Sequence, residues 1–221
     1  MKKQKNKASE YTLNSEDVRA IINATETTRD KVIIELLAFT GCRRSELVLL
    51  RIKDINLDLE QINMPTVKQE PKGKNDEPRT KAQGEKLAYD YARRIPIINN
   101  DLKRDLKTIL AELNTTRDTV PSSRLIQSRQ AKSLTQTMIN IIVANAANHA
   151  GVKSPNPDRK NVNPHIFRHT FVRYALKYGM NFKVIQELLG HSKIETTFNM
   201  YGHPSWEDTK DEVKKMSGYG I

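Results

Sequence analysis

The sequence predicts a mainly α-helical fold with a small antiparallel β-sheet, an α+β class, on three observations. Apolar residues recur at helical spacing in successive stretches, most of them bounded by a capping side chain or a glycine. Two short segments, 61–68 and 93–98, read as strands. No internal repeat is visible, and 221 residues suffice to bury one substantial core.

Taken in order, residues 1–10 are polar and basic and read as a disordered arm ahead of the domain. Asn14 offers an N-cap, with Asp17 three residues on, to a short helix carrying Val18, Ile21 and Ile22. A second helix runs from Asp30 to Phe39 through Val32, Ile33, Leu36 and Leu37. It stops at Gly41, where a left-handed residue costs least. A third starts near Arg43 and carries Leu47 and Leu50. The strand at 61–68 contains Pro65 and is therefore expected at a sheet edge, with Arg93 to Ile98 as its partner. Between them, 69–92 is a long polar loop holding Pro71, Gly73, Pro78 and Gly84.

Further on, Asn100 is expected to cap a helix with Leu102, Leu106, Ile109, Leu110 and Leu113 along one side. Ser133 is expected to cap the next, which ends at Ala150 and Gly151. Three prolines make 152–164 a loop. Phe167, Phe171, Tyr174 and Tyr178 then form a stripe at helical spacing. Val184, Ile185, Leu188 and Leu189 form another, ended by Gly190. Ser205 and Asp208 resemble a capping box opening a terminal helix with Trp206, Val213 and Met216.

Charge narrows the function. With 37 Lys and Arg against 26 Asp and Glu, the net charge is +11, which favours a polyanionic partner, nucleic acid before an anionic membrane surface. No basic amphipathic segment supports the membrane surface, and no apolar run reaches the roughly 18 residues that span a bilayer. Cys42 is the single cysteine, so no intrachain disulfide forms, and its setting reads as packing. The chain is expected in the cytoplasm, associated with the nucleoid.

Individually, the chemical motifs are weak. In Pro164-His165-Ile166-Phe167-Arg168, His165 and Arg168 stand three apart at a helix start, so both face one side where free N–H groups attract anions. A surface histidine and arginine with no shared ligand would look the same. Arg43 follows a glycine-stopped helix and has Glu46 to orient a basic neighbour; its guanidinium fork suits two phosphate oxygens. Alone, this is also an ordinary surface pair. His191 stands at the mouth of an apolar helix, and Tyr201 follows ten residues later beside Gly202. No acidic cluster accompanies the basic motifs, which disfavours a metal-dependent nuclease.

Their joint order is specific. Thr40-Gly41-Cys42-Arg43-Arg44-Ser45-Glu46-Leu47, His165-Ile166-Phe167-Arg168-His169-Thr170, Leu188-Leu189-Gly190-His191-Ser192 and Thr196-Thr197 leading to Tyr201 resemble the catalytic domain of the tyrosine recombinase, or phage integrase, family from about Tyr11 onward. The resemblance implies catalytic roles for Arg43, His165, Arg168, His191 and Tyr201, with Tyr201 as nucleophile. It implies a catalytic lysine at the end of the first strand of a hairpin: Lys68 fits best, with Lys72 and Lys74 as rivals because the hairpin loop is long. It further implies double-stranded DNA as partner, a homo-oligomer, typically a tetramer, on DNA, and no metal, nucleotide or other cofactor. The activity expected is site-specific DNA cutting and rejoining through a 3′-phosphotyrosyl link, integrating or excising a mobile or viral element. A type IB topoisomerase-like relaxing activity and a non-catalytic DNA-binding relative are the alternatives. Family members usually carry an amino-terminal DNA-clamping domain. With ten residues ahead of Tyr11, none is expected in this chain, and 11–221 is read as the catalytic domain.

Overall fold

The computed structural model describes residues 11–67, 81–116, 119–128 and 133–190. The opening arm, Lys68, Lys72, Lys74, His191, Tyr201 and the expected terminal helix lie outside the described residues.

At the centre stands α2 (Thr28–Thr40), whose Val32, Ile33, Ile34, Leu36 and Leu37 are fully buried. Being apolar on nearly every side, it needs neighbours all round. It receives them from α1 (Ser15–Asn23), α5 (Asn100–Thr116), α6 (Gln136–His149) and α7 (Pro164–Lys177). The expected cap at Asn14 forms, its side chain accepting from the Asp17 amide at 2.7 Å. Thr27 caps α2, and Gly41 ends it at φ +61°, where a side chain would be strained. The segment leading into α1 is fastened to α7 by the Leu13 amide, which donates to Thr170 Oγ1 at 2.9 Å.

After the single-turn α3 (Arg44–Leu47) the chain enters a three-stranded antiparallel sheet of β1 (Ile55–Asn56), β2 (Gln61–Met64) and β3 (Arg93–Pro96), in the order β1-β2-β3. Ile62 faces both Ile55 and Ile95, and Met64 faces Arg93. The strand at 61 is therefore central rather than an edge. Pro65 stands just past its last ladder residue and needs no amide hydrogen there.

Three other expectations shift. The polar stretch 69–92 is not all loop, because 81–90 form α4 (Lys81–Asp90). Its sequence is too polar to show a stripe, since it is held by charge: Glu85 accepts from Arg51 and Arg124, each at 2.6 Å. The Tyr89 hydroxyl lies 2.6 Å from the Leu49 carbonyl and 2.8 Å from Asp54 Oδ2. Thr135, not Ser133, caps α6, and Asn99, not Asn100, caps α5, its Oδ1 accepting from the Leu102 amide at 2.9 Å. The aromatic stripe on α7 is only partly core: Phe167 is fully buried, whereas Tyr178 is 79% exposed and stacks on Tyr174. Likewise on α8 (Phe182–Leu189), Ile185 and Leu189 are buried and Val184 is exposed. Gly190 ends α8 at φ +64°.

Candidate active site

Three helix ends meet where α2 stops, α7 starts and α8 stops. Arg43 precedes α3, and its backbone amide donates to Glu46 Oε2 at 2.9 Å. Its Nη1 donates to Glu46 Oε1 at 3.0 Å and to the Leu189 carbonyl at 3.3 Å. Arg168 is 6% exposed; its Nη1 donates to the Gly41 carbonyl at 2.7 Å and its Nη2 to the Leu189 carbonyl at 2.9 Å. A helix leaves its last carbonyls without partners, and here two guanidinium groups from distant parts of the chain take one of them.

His165 is the second residue of α7. Asn163 caps this helix by accepting from the His165 amide at 3.0 Å, and Pro164 occupies the first turn, where its missing N–H costs nothing. Partial desolvation, and beyond it the positive charges of Arg168, Arg44, Arg43 and Arg159, lower the pKa of the imidazole below its ordinary value, although the residue keeps an exposed side toward solvent. A neutral ring both donates and accepts a hydrogen bond. The adjacent His169 is pushed down to about 4 by burial, His165 and Arg168.

Arg43, Arg44, His165 and Arg168, with Cys42, Ser45, Gln136 and Pro164, line one cleft of about 100 Å³. Glu46, wholly buried beneath it, is the one nearby carboxylate bound to its arginines among the described residues. Burial alone would raise the Glu46 carboxyl, but Arg93 and Arg43 hold it below the usual carboxylate range. Cationic donors converging on a cleft whose counter-charge is buried below its floor are suited to bind an anion such as phosphate.

Arg43, His165 and Arg168 are thus brought together, as the motifs imply. Glu46 orients Arg43 as expected, and Cys42, 1% exposed, packs in the core. Lys68 and His191 directly follow the described residues Val67 and Gly190 in the chain, and Tyr201 lies beyond. The sequence reading missed Arg44 and Gln136, which line the cleft, and Arg93, which binds Glu46 from β3. No local signal marked Arg93, because its partners Glu46, Thr66 and Leu188 lie 47, 27 and 95 residues away.

An α+β domain that gathers two arginines and a histidine around one cleft belongs to a class of proteins built to hold an anion. The model of the phage integrase family matches residues 11–207, and the chain belongs to that family. The tyrosine recombinase XerD of Vibrio vulnificus is 30% identical over 203 residues, 90% of this chain and 58% of that protein. XerD of Staphylococcus aureus is 28% identical over 209 residues, 92% of this chain and 60% of that protein. The chain therefore spans a little under two thirds of the length of these relatives. Among solved structures, the XerA recombinase superposes with a TM-score of 0.68 at 25% identity over 92% of this chain and 62% of its own. The Tn1549 transposon integrase in complex with transposon right end DNA shares the fold, with a TM-score of 0.64 at 21% identity over 94% and 66% of the two chains.

Proposed function

We propose that this chain is the catalytic part of a site-specific DNA recombinase that cuts and rejoins DNA through a 3′-phosphotyrosyl intermediate. The observation that carries this reading is the convergence on one cleft of Arg43 with His165 and Arg168, which lie more than a hundred residues further along, in a chain of this family.

In this reading the Tyr201 oxygen attacks the scissile phosphorus. The bond between phosphorus and the 5′-oxygen breaks, and that oxygen takes a proton from Lys68. His165 accepts or shares the phenolic proton, and His191 positions the phosphate. Arg43 and Arg168 hold the two non-bridging oxygens, where charge accumulates in the transition state. One phosphoester replaces another, so rejoining needs no external energy source. The DNA ends are taken to be those of a mobile or viral element, a reading supported by the shared fold of the Tn1549 transposon integrase, which is bound to transposon DNA. Cutting and rejoining between sites calls for several copies on the DNA, in the cytoplasm; no helix among the described residues is long and apolar enough to cross a membrane.

Covalent trapping tests the proposal. Supercoiled plasmid, or DNA carrying the element's own ends, is mixed with protein in EDTA without ATP and quenched with detergent. A protein–DNA adduct from wild type and none from Tyr201→Phe is the expected result. Adducts that survive in Tyr201→Phe overturn Tyr201 as nucleophile.

A further inference from the structure

We propose that Arg93 is a positioning residue for strand cleavage, joining in one guanidinium the supports of Arg43, of the strand end leading to Lys68 and of the helix end leading to His191. The inference rests on the cleavage reading above, and on contacts that reading does not use.

Arg93 opens β3, and its side chain is 10% exposed. Each edge of its guanidinium has a different partner. Nε donates to the Leu188 carbonyl at 2.6 Å, Nη1 to Thr66 Oγ1 at 2.8 Å, and Nη2 to Glu46 Oε2 at 2.8 Å. Thr66 is 4% exposed, and its amide donates to the Ala88 carbonyl of α4 at 2.8 Å, so the exit of the chain toward Lys68 is held from two sides. Gly190 fits against the same pair. A Cβ on it would come within 2.9 Å of Thr66 Cγ2 and 3.0 Å of Arg93 Nη1.

Charge gives the arrangement its direction. Glu46 carries one negative charge and touches two guanidinium groups, Arg43 and Arg93. If Arg43 were its only partner, the pair would be neutral and a phosphate would compete with Glu46 for Arg43. With Arg93 supplying the second cation, one positive charge remains for the cleft. A lysine at 93 keeps the charge but offers a single nitrogen, which cannot reach Leu188, Thr66 and Glu46 together.

The test compares Arg93→Lys, Arg93→Gln and Glu46→Gln/Arg93→Gln with wild type, with melting temperature as the control for folding. Single-turnover adduct formation at saturating DNA should fall about 10-fold or more in Arg93→Lys, toward the order of 10² that an ångström of misplacement costs, with DNA affinity unchanged. The loss should largely vanish in an Arg43→Ala background, because both substitutions act through one clamp. The double variant should recover part of the loss of Arg93→Gln by removing the uncompensated carboxylate. Wild-type rates in a well-folded Arg93→Lys, or a full multiplicative loss on top of Arg43→Ala, overturn the inference. If wild type itself forms no adduct, the cleavage reading is what fails. Hydrogen exchange without DNA then decides for Arg93: Arg93→Lys should speed exchange both at the Glu46 and Leu47 amides and at Gly190. Unchanged exchange at either place overturns it.

Discussion

The Leu189 carbonyl accepts from Arg168 at 2.9 Å, joining the end of α8 to a guanidinium that enters from α7. Arg43 reaches the same oxygen at 3.3 Å, and Arg93 takes the preceding carbonyl, Leu188, at 2.6 Å. Three arginines are thus aimed before any ligand arrives, by backbone oxygens that the helix leaves unpaired. Preorganised donors act without rearrangement at the moment of reaction.

Arg168→Lys should therefore damage stability and chemistry together. One ammonium cannot satisfy both the Gly41 and Leu189 carbonyls, and leaving a buried polar group unpaired costs about 1–3 kcal/mol. Loss of the bidentate donor should slow adduct formation by roughly 10²–10³. Urea melting and single-turnover trapping measure the two effects. A lysine variant equal to wild type in both would show that the fork geometry is unimportant.

The helix-ending glycines should respond unlike a helical one. At Gly41, φ is +61° and a Cβ would meet Phe171 Cδ1 at 2.7 Å, so Gly41→Ala should destabilise by more than the roughly 1–2 kcal/mol of a left-handed residue alone. Gly84, in α4, has nothing within 4 Å of a Cβ, so Gly84→Ala should stabilise by about 0.5–1 kcal/mol. Chemical denaturation of the two variants should move the midpoint in opposite directions.

What the sequence disclosed follows the range of the forces involved. Caps and stops at Asn14, Gly41, Gly151 and Gly190 are local, and they were legible. So were Arg43, His165 and Arg168, because short motifs fix their neighbours. Helix α4 was hidden because it is fastened by Glu85 to Arg51 and Arg124, 34 and 39 residues away, and not by an apolar stripe. Arg93 was hidden for the same reason: its partners are Thr66, Glu46 and Leu188, all distant in sequence. β2 was misjudged as an edge because one proline outweighed a second partner, the two-residue β1, too short to show a pattern.

Cys42 should be chemically silent in the folded protein. It is 1% exposed, and burial pushes its thiol up to about 11, against a smaller opposing pull from the Thr40 hydroxyl. Thiolate is the reactive form, so at pH 8 the native protein should not react with a disulfide reagent over minutes, while the protein in denaturant should react at once. Rapid native labelling would mean that the junction of α2 and α3 opens readily.

Glu35 should make stability fall as the pH rises. It is fully buried on α2, and among the described residues neither of its carboxylate oxygens accepts a hydrogen bond. Burial raises its pKa to about 7, and the negative charge of Asp105 adds to the effect, while Lys31 opposes it. Lys31 is already engaged with Asp105 at 2.7 Å, and Arg104 binds the other Asp105 oxygen at 2.9 Å. The sign follows from proton binding. Below pH 4.5, the ordinary value, Glu35 is protonated in folded and unfolded chains alike and no penalty arises. Between there and about 7 the unfolded chain releases the proton and the folded one keeps it, so stability declines; above that the penalty is complete. Glu35→Gln cannot ionise, so it should be the more stable protein at pH 8, and its advantage over wild type should shrink steadily toward pH 5. Parallel stability curves for the two proteins across that range would show that Glu35 finds a partner for its charge in the folded state.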